Sequence, residues 1–469
     1  MHKNNHSNDK VIQELVDLFE TNLKEDSLTF LSEEDFECLI DYYDQLANTE
    51  KAILATEHAQ NAFPYSGTFF IRMAQIQVQA KRLDLAQEAI QKAKTFEPSS
   101  PELMLAEADF LVAESKYDEA IHKLKDLLNY VGKAERSDVY LEVADVYELK
   151  LDKKGMAFWL KKCLSLDPSN EEALNRYWNY VDDEKAYEEA VVFHQKILDK
   201  APYNFLAWNN LGNAYEELSL FEEAINAYEY AIAINENYYY VYWDLASCYE
   251  KMGDWKKAKD IFIDIAEQFE QEPQVLIEIG KCEERLGQYE AARAKFKKAI
   301  DGLTGNVSIG NAFYLVAKTY EREQDFIQAI FYYKQALEYQ SDRLKYWKSL
   351  GKVQFELEYY LDAAGSFIKG IELNEKKYKL WLYLAQCYQA IGKKDMVLNV
   401  FERGIATIPN NIDLQYARAV FNLTNENTQV GLEQLEEVLH KAPNLKSSIF
   451  TLFPELEKSH EVLAVLQNF

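Results

Sequence analysis

From Phe205 to Glu236 the apolar residues recur at helical spacing in two blocks joined by a short break, which predicts one helix, a turn and a second helix. With Phe205 as position 1, Trp208, Leu211, Gly212 and Tyr215 occupy positions 4, 7, 8 and 11. Ala224, Tyr228 and Ala231 occupy positions 20, 24 and 27. The same register tiles outward in both directions, with position 1 at Glu33, Gly67, Pro101, Ser137, Glu171, Phe205, Tyr239, Pro273, Gly310, Leu344, Tyr378 and Ile412. Ten of the twelve units are 34 residues long or set by that spacing, and two insertions interrupt it, at Asn129 to Arg136 and at Asp301 to Gly310. The glycines of the second insertion make it the candidate hinge, with a surface loop as the plainer alternative.

Small residues mark where the helices of a unit must cross closely. Position 20 is alanine in nine units (Ala52, Ala86, Ala120, Ala190, Ala224, Ala258, Ala292, Ala329 and Ala363), and position 8 is glycine or alanine in ten. Overfilling such a contact costs about 1–3 kcal/mol. Proline gives an independent check, because it belongs at helix ends. Pro64, Pro98, Pro168, Pro202, Pro409 and Pro443 fall at position 32, and Pro101 and Pro273 at position 1. Two units depart from the pattern. Trp178 and His194 stand at positions 8 and 24 of the Glu171 unit, and Arg418 and Gly431 at positions 7 and 20 of the Ile412 unit.

Residues 1–10 read as a flexible arm, and 11–32 as an N-terminal capping helix whose apolar stripe includes Val11, Leu15, Val16, Phe19 and Leu23. The twelve units span 33–444. Residues 445–469 read as C-terminal capping helices, with Ile449, Leu452, Phe453, Leu456, Val462, Leu463, Val465, Leu466 and Phe469 as their apolar positions. Caps of this kind cover the open ends of a repeat array.

The spacing, the small residues and the prolines together resemble the tetratricopeptide repeat (TPR) family. That resemblance implies an all-α fold, a right-handed α-α superhelical solenoid of tandem helix pairs. It also implies a scaffold that holds extended peptides on its inner, concave face.

Charge narrows the partners. The chain carries 78 acidic and 51 basic residues, a formal net charge of −27, which argues against nucleic acid and anionic membrane as general ligands. No apolar run approaches a membrane span, and the polar start MHKNNHSNDK does not read as a signal peptide. The five cysteines form no metal-ligand spacing and are expected as small, half-buried thiols, and with no signal peptide read, a reducing, cytoplasmic setting is expected. Phosphate-binding, dinucleotide, zinc-protease and calcium-loop motifs are all missing, and the seven histidines form no i, i+3 or i, i+4 ligand pair. We expect no cofactor, no metal and no catalytic residue.

Binding is therefore sought on the inner face, which in TPR proteins is lined by positions such as 2, 5, 6, 9, 12 and 13. Position 9 runs from acid (Asp41, Asp109, Asp145) through amide (Asn179, Asn213) to base (Lys281, Lys318, Lys352). The candidate peptide-binding residues are Asn175, Arg176, Asn179, Asn209, Asn210, Asn213, Tyr240, Trp243, Lys281, Arg285, Tyr314, Lys318, Arg322, Lys345, Lys348 and Lys352. Family resemblance gives the asparagines a role on peptide backbone and the basic residues a role on carboxylates. The chaperone-binding carboxylate clamp of the family is matched at Asn179 and Asn210. It fails at Asn175, which replaces a lysine, and at Tyr240 and Asp244 in the next unit.

The reading is a non-catalytic adaptor for protein or peptide partners, with an acidic segment expected at the basic stripe. The alternative is a structural protein that self-associates through its solenoid ends. Helical-repeat RNA binding is disfavoured by the acidity.

Overall fold

The computed structural model describes residues 2–25, 31–269, 272–425, 428–448 and 459–467. It divides into two units, Met1–Glu236 and Asn237–Phe469, each with its own internal packing. The described residues are helical with turns between, and no strand occurs among them. The fold class is all-α, tandem helix pairs of the TPR kind.

In the first unit α1 (His2–Glu25) precedes six pairs: α2 (Glu33–Gln45) with α3 (Thr49–Ala62), α4 (Gly67–Gln79) with α5 (Leu83–Phe96), α6 (Pro101–Ala113) with α7 (Tyr117–Leu127), α8 (Arg136–Leu149) with α9 (Lys153–Leu166), α10 (Glu171–Glu184) with α11 (Tyr187–Leu198), and α12 (Phe205–Glu217) with α13 (Phe221–Ile234). The second unit has six more: α14 (Tyr239–Met252) with α15 (Trp255–Gln268), α16 (Pro273–Arg285) with α17 (Tyr289–Gly302), α18 (Asn306–Arg322) with α19 (Phe326–Tyr339), α20 (Leu344–Glu356) with α21 (Tyr360–Leu373), α22 (Tyr378–Ala390) with α23 (Lys394–Thr407), and α24 (Ile412–Thr424) with α25 (Thr428–Lys441). A 3-10 turn (Pro443–Ser448) and α26 (His460–Gln467) follow.

Local chemistry explains the helix starts. Ser32 and Asp35 form a reciprocal capping box at α2. Asn170, Asn204 and Asn411 accept the first free amides of α10, α12 and α24. Successive pairs are then stitched together by a recurring bond. The position-4 indoles Trp208, Trp347 and Trp381 each donate, at 2.8 Å, to the carbonyl six residues earlier: Pro202, Ser341 and Glu375. All nine position-20 alanines are fully buried.

The turn inside eleven of the pairs carries a constraint that no glycine pattern announces. Position 15 takes a left-handed backbone at Ala47, Lys81, Ser115, Leu151, Lys185, Ser219, Gln324 and Glu358, and only Gly253, Gly287 and Gly392 meet it with glycine. A side chain in that region costs about 1–2 kcal/mol, partly offset by the roughly 0.5–1 kcal/mol that glycine loses in flexibility on folding. Leu151, at φ 61° and almost fully exposed, is the plainest case. Leu151→Gly is expected to stabilise the α8–α9 pair by about 0.5–1 kcal/mol, read as slower amide exchange in those two helices.

Several expectations change. The segment expected as a flexible arm forms the first turns of α1. Farther along α1, Val16 and Phe19 are buried in the core with Phe36 and Tyr43, so the helix covers the apolar side of the first pair. The Asp301 to Gly310 insertion is not a long loop. Helix α17 runs through Gly302 and α18 begins at Asn306, four residues before the expected start, with Gly305 at φ 85° making the corner. The other insertion is a true loop between α7 and α8, which starts at Arg136 rather than Ser137.

Trp178 stands where neighbouring pairs have a small residue, and α10 and α11 consequently pack less closely than the other pairs. Gly431 at position 20 is explained by the opposite situation: a Cβ there would lie 2.7 Å from the Leu423 backbone nitrogen, so α24 and α25 cross more tightly than alanine allows. At the far end Val462 and Leu466 of α26 are buried with Leu435, Val438 and Leu439 of α25. The expected capping positions Ile449, Leu452, Phe453, Leu456 and Phe469 lie outside the described residues.

Candidate functional site

The inner-face positions occupy the first helix of every pair, and the sign change along them coincides with the division into two units. In the first unit the face is acidic. Burial pushes the Asp109 carboxyl up to about 6. Glu142 is pushed up to about 7, first by burial and then by the charges of Asp145, Asp109, Glu172 and Asp138. Arg176 is drawn into this group. It bonds Asp145, Glu148 at 2.6 Å and Glu172 at 3.1 Å, so three carboxylates compete for it. Asn175 and Asn179 are exposed, and Asn179 lines a small cavity of about 250 Å³ with Arg176, Tyr180 and Asp183.

The three asparagines of α12 are not an open row. Asn210 is buried and donates to the Leu174 carbonyl at 3.3 Å. Asn209 is buried with its Oδ1 unpartnered. Asn213 is half-buried and accepts from the Tyr228 hydroxyl at 2.8 Å. Asn210 thus ties α12 to α10, and Asn213 ties it to α13.

In the second unit the basic stripe separates into two sets. The first set is already paired. Lys281 holds Glu278 at 2.8 Å, Lys318 holds Glu321 at 3.1 Å, and Arg322 approaches Glu284 at 3.7 Å. Arg285 lies over the Trp255 ring at 5.1 Å. Trp243 is half-buried edge-on to Phe262 at 5.2 Å, a packing role rather than an open anchor, while Tyr240 is 66% exposed beside Tyr238 and Tyr239.

The second set lies on α20. Lys345, Lys348 and Lys352 are spaced i, i+3, i+7 on one helix face, and none has a carboxylate in ion-pair range among the described residues. Lys345 rests 4.8 Å above the Tyr314 ring and 5.3 Å from that of Tyr346, and it donates to Asn311 at 3.1 Å. Tyr314 and Tyr346 are themselves stacked at 4.8 Å. Partial burial, then Arg343 and then Lys281, hold the Lys345 ammonium below the ordinary lysine range. Lys352 lies 5.2 Å over the Tyr383 ring. Sequence reasoning missed Arg343, Asn311 and Tyr346. Arg343 sits in the turn before α20, outside the helix positions searched.

The chemistry of catalysis is thin. Burial pushes the thiols of Cys163, Cys282 and Cys387 up to about 12, with the Glu250 charge adding to the shift at Cys282, which leaves them unreactive. No group of three metal-binding side chains occurs among the described residues. No described helix is long and apolar enough to cross a membrane.

Twelve helix pairs with this register, these small crossing positions and an inner face of exposed polar first-helix residues define a repeat scaffold: the chain is a tetratricopeptide-repeat protein. The tetratricopeptide-repeat model matches residues 205–238, the stretch from which the register was read. The second half, residues 242–468, is similar to the family of intraflagellar transport protein 56. No curated protein matches the chain.

Among solved structures, the chain is similar to the C-terminal part of a TPR repeat-containing protein from Cytophaga hutchinsonii, at 17% identity, covering 54% of this chain and 98% of that one with a TM-score of 0.44. A tetratricopeptide repeat protein from Parabacteroides merdae gives 17%, 54%, 98% and 0.39. The Cut9–Hcn1 hetero-tetramer of APC/C gives 14%, 93%, 96% and 0.33. The superpositions are loose, and the assignment rests on the repeat register and the helix pairs.

Proposed function

We propose that this protein is a non-catalytic adaptor that binds an extended, acidic protein segment on the inner face of its second unit, centred on α20. One observation carries the reading: Lys345, Lys348 and Lys352 present three charges on one helix face with no carboxylate in ion-pair range among the described residues, beside the stacked Tyr314 and Tyr346. Carboxylates arriving there gain charge-assisted hydrogen bonds without first breaking an ion pair, and the half-buried Tyr314, held by its stacking on the buried Tyr346, supplies rigid apolar contact. The paired set, Lys281, Lys318 and Arg322, forms the rim. Glu278 and Glu284 are largely covered, so these pairs give up their partners less readily than the α20 lysines take one on. A cytoplasmic setting is supported by five free thiols, four of them buried.

Affinity purification followed by mass spectrometry tests this with two variants. Replacing Lys345, Lys348 and Lys352 together by glutamate is expected to weaken the main partner about 10- to 100-fold, the scale of one or two lost charge-assisted bonds. Replacing Lys281 and Lys318 should weaken it less. Binding of the wild type should fall as salt is raised, because exposed charges are screened over about 8 Å at physiological ionic strength. An unchanged partner list for the α20 variant sinks the proposal.

A further inference from the structure

A second surface lies on the other side of the same unit. Trp381, at position 4 of α22, points away from inner-face positions such as Lys379 and Gln386. It forms part of the floor of a groove of about 810 Å³ walled by the C-terminal half of α21 and by α23. The floor is firm: Trp381 is buried, its indole donates to the Glu375 carbonyl at 2.8 Å, and Gly404 lets α23 close over it, a Cβ there falling 3.2 Å from the ring. The rim is apolar and open. Ile368, Leu373 and Met396 are 37%, 42% and 43% exposed, large side chains turned to water on both walls.

The groove also has a sign. Glu372 is paired with Lys369 at 2.8 Å. Glu375 and Lys376, adjacent in the turn at one end, offset each other. Arg403, in the α23 wall, lies 5.8 Å from the Trp381 ring and has no carboxylate partner among the described residues. From Met396 to Thr407 the α23 wall is three turns, about 16 Å at 1.5 Å per residue. Its neighbours are helices on both sides, with no sheet edge to which an extended strand could add.

We propose that this groove docks an amphipathic helix of a partner protein, about three turns long, with its apolar stripe on Ile368, Leu373 and Met396 and an acidic residue opposite Arg403. In the helix-in-groove mode an amphipathic helix lays apolar anchors at i, i+3, i+4 and i+7 into a hydrophobic groove. Here Ile368, Leu373 and Met396 supply the apolar walls and Arg403 the complementary charge, on a face separate from the α20 lysines.

The test uses the full chain and a displayed library of 16-residue helix-forming peptides, with apolar residues at i, i+4, i+7 and i+11 and glutamate or lysine at the flanking positions. Enriched peptides are expected to favour glutamate, to bind Met396→Asp at least 10-fold more weakly, and to bind the Lys345/Lys348/Lys352→Glu variant as well as the wild type. Selection on Arg403→Glu should turn the preference to lysine. Both substituted residues are exposed, so unchanged urea melts certify the fold. The proposal is overturned by the recovery of no binder, by binders indifferent to Met396 and Arg403, or by equal use of glutamate and lysine. Self-association of the full chain that Met396→Asp abolishes would assign the groove to a second copy instead.

Discussion

Exchange of His194 for phenylalanine is expected to raise the stability of the α10–α11 pair by about 1–3 kcal/mol at pH 7 and by more in acid. His194 occupies position 24, where Tyr228, Phe296, Tyr333 and Phe367 stand in other pairs. It is fully buried, and neither ring nitrogen has a hydrogen-bond partner. Tyr177, 5.8 Å away, is buried with its hydroxyl also unpartnered. Burial holds the imidazole down at about 3, far below its ordinary 6.5. Burial is the cause of that shift, with no charge acting to offset it.

The sign follows directly. The unfolded chain binds a proton at His194 as pH falls through 6.5, whereas the folded chain does so only near 3. Stability is therefore full above about 6.5 and falls below it, by up to roughly 1.4 kcal/mol per pH unit, or about 2 kcal/mol at pH 5. Asp109 and Glu142 act in the opposite sense. Their folded values are raised, so neutralising them on acidification favours the folded state. The measurement is thus the difference between the two proteins, read by amide exchange in α10 and α11 at pH 7 and pH 5. A difference that does not grow at pH 5 refutes the account.

The second large effect concerns glycine at position 8. A Cβ on Gly212 would lie 2.5 Å from the Tyr228 ring, and one on Gly280 would lie 2.6 Å from the Phe296 ring. The two clashes look alike, yet their costs should differ. The Tyr228 hydroxyl has one proton to donate, with Asn213 Oδ1 at 2.8 Å and Glu216 Oε2 at 2.7 Å as its acceptors, so its ring cannot swing aside without losing that hydrogen bond. Phe296 carries no such tether. Alanine gains about 1 kcal/mol in helix propensity over glycine, against about 1–3 kcal/mol for overpacking. Gly212→Ala should therefore destabilise α12–α13 by about 2 kcal/mol, at the upper end of that range, and Gly280→Ala should come out near neutral. Urea unfolding of the two variants checks the order, and equal losses would show that the hydroxyl tether is irrelevant.

Much of the architecture was legible because it is local. Helix period, cap residues, prolines at junctions and alanine at the crossing are each set within one repeat, so spacing alone located the first helices from Glu33 to Ile412 to within a few residues. The two misplaced starts, Arg136 and Asn306, lie at insertions, where an extra turn of helix and a loop have the same length in sequence. Position 15 was silent for a different reason: eight non-glycine residues, of six types with no common character, hold the same left-handed turn because the packing of the pair demands it.

The candidate site was legible as charge and illegible as partnership. The change from acid to base along position 9 is written in the chain, but the fate of each side chain depends on neighbours roughly one repeat away. Arg176 is satisfied by Asp145 and Glu148 of the preceding pair, and Arg322 by Glu284. Asn209 and Asn210 are buried, whereas Lys345, Lys348 and Lys352 have no acid in ion-pair range among the described residues. The sequence by itself determined the repeat, its register and the acidic-to-basic order, since these follow from periodicities shorter than one helix pair. Tertiary structure alone decided which charges are neutralised, which polar groups are buried, and that the chain packs as two units, because each depends on side chains meeting between helices that the sequence keeps about thirty residues apart.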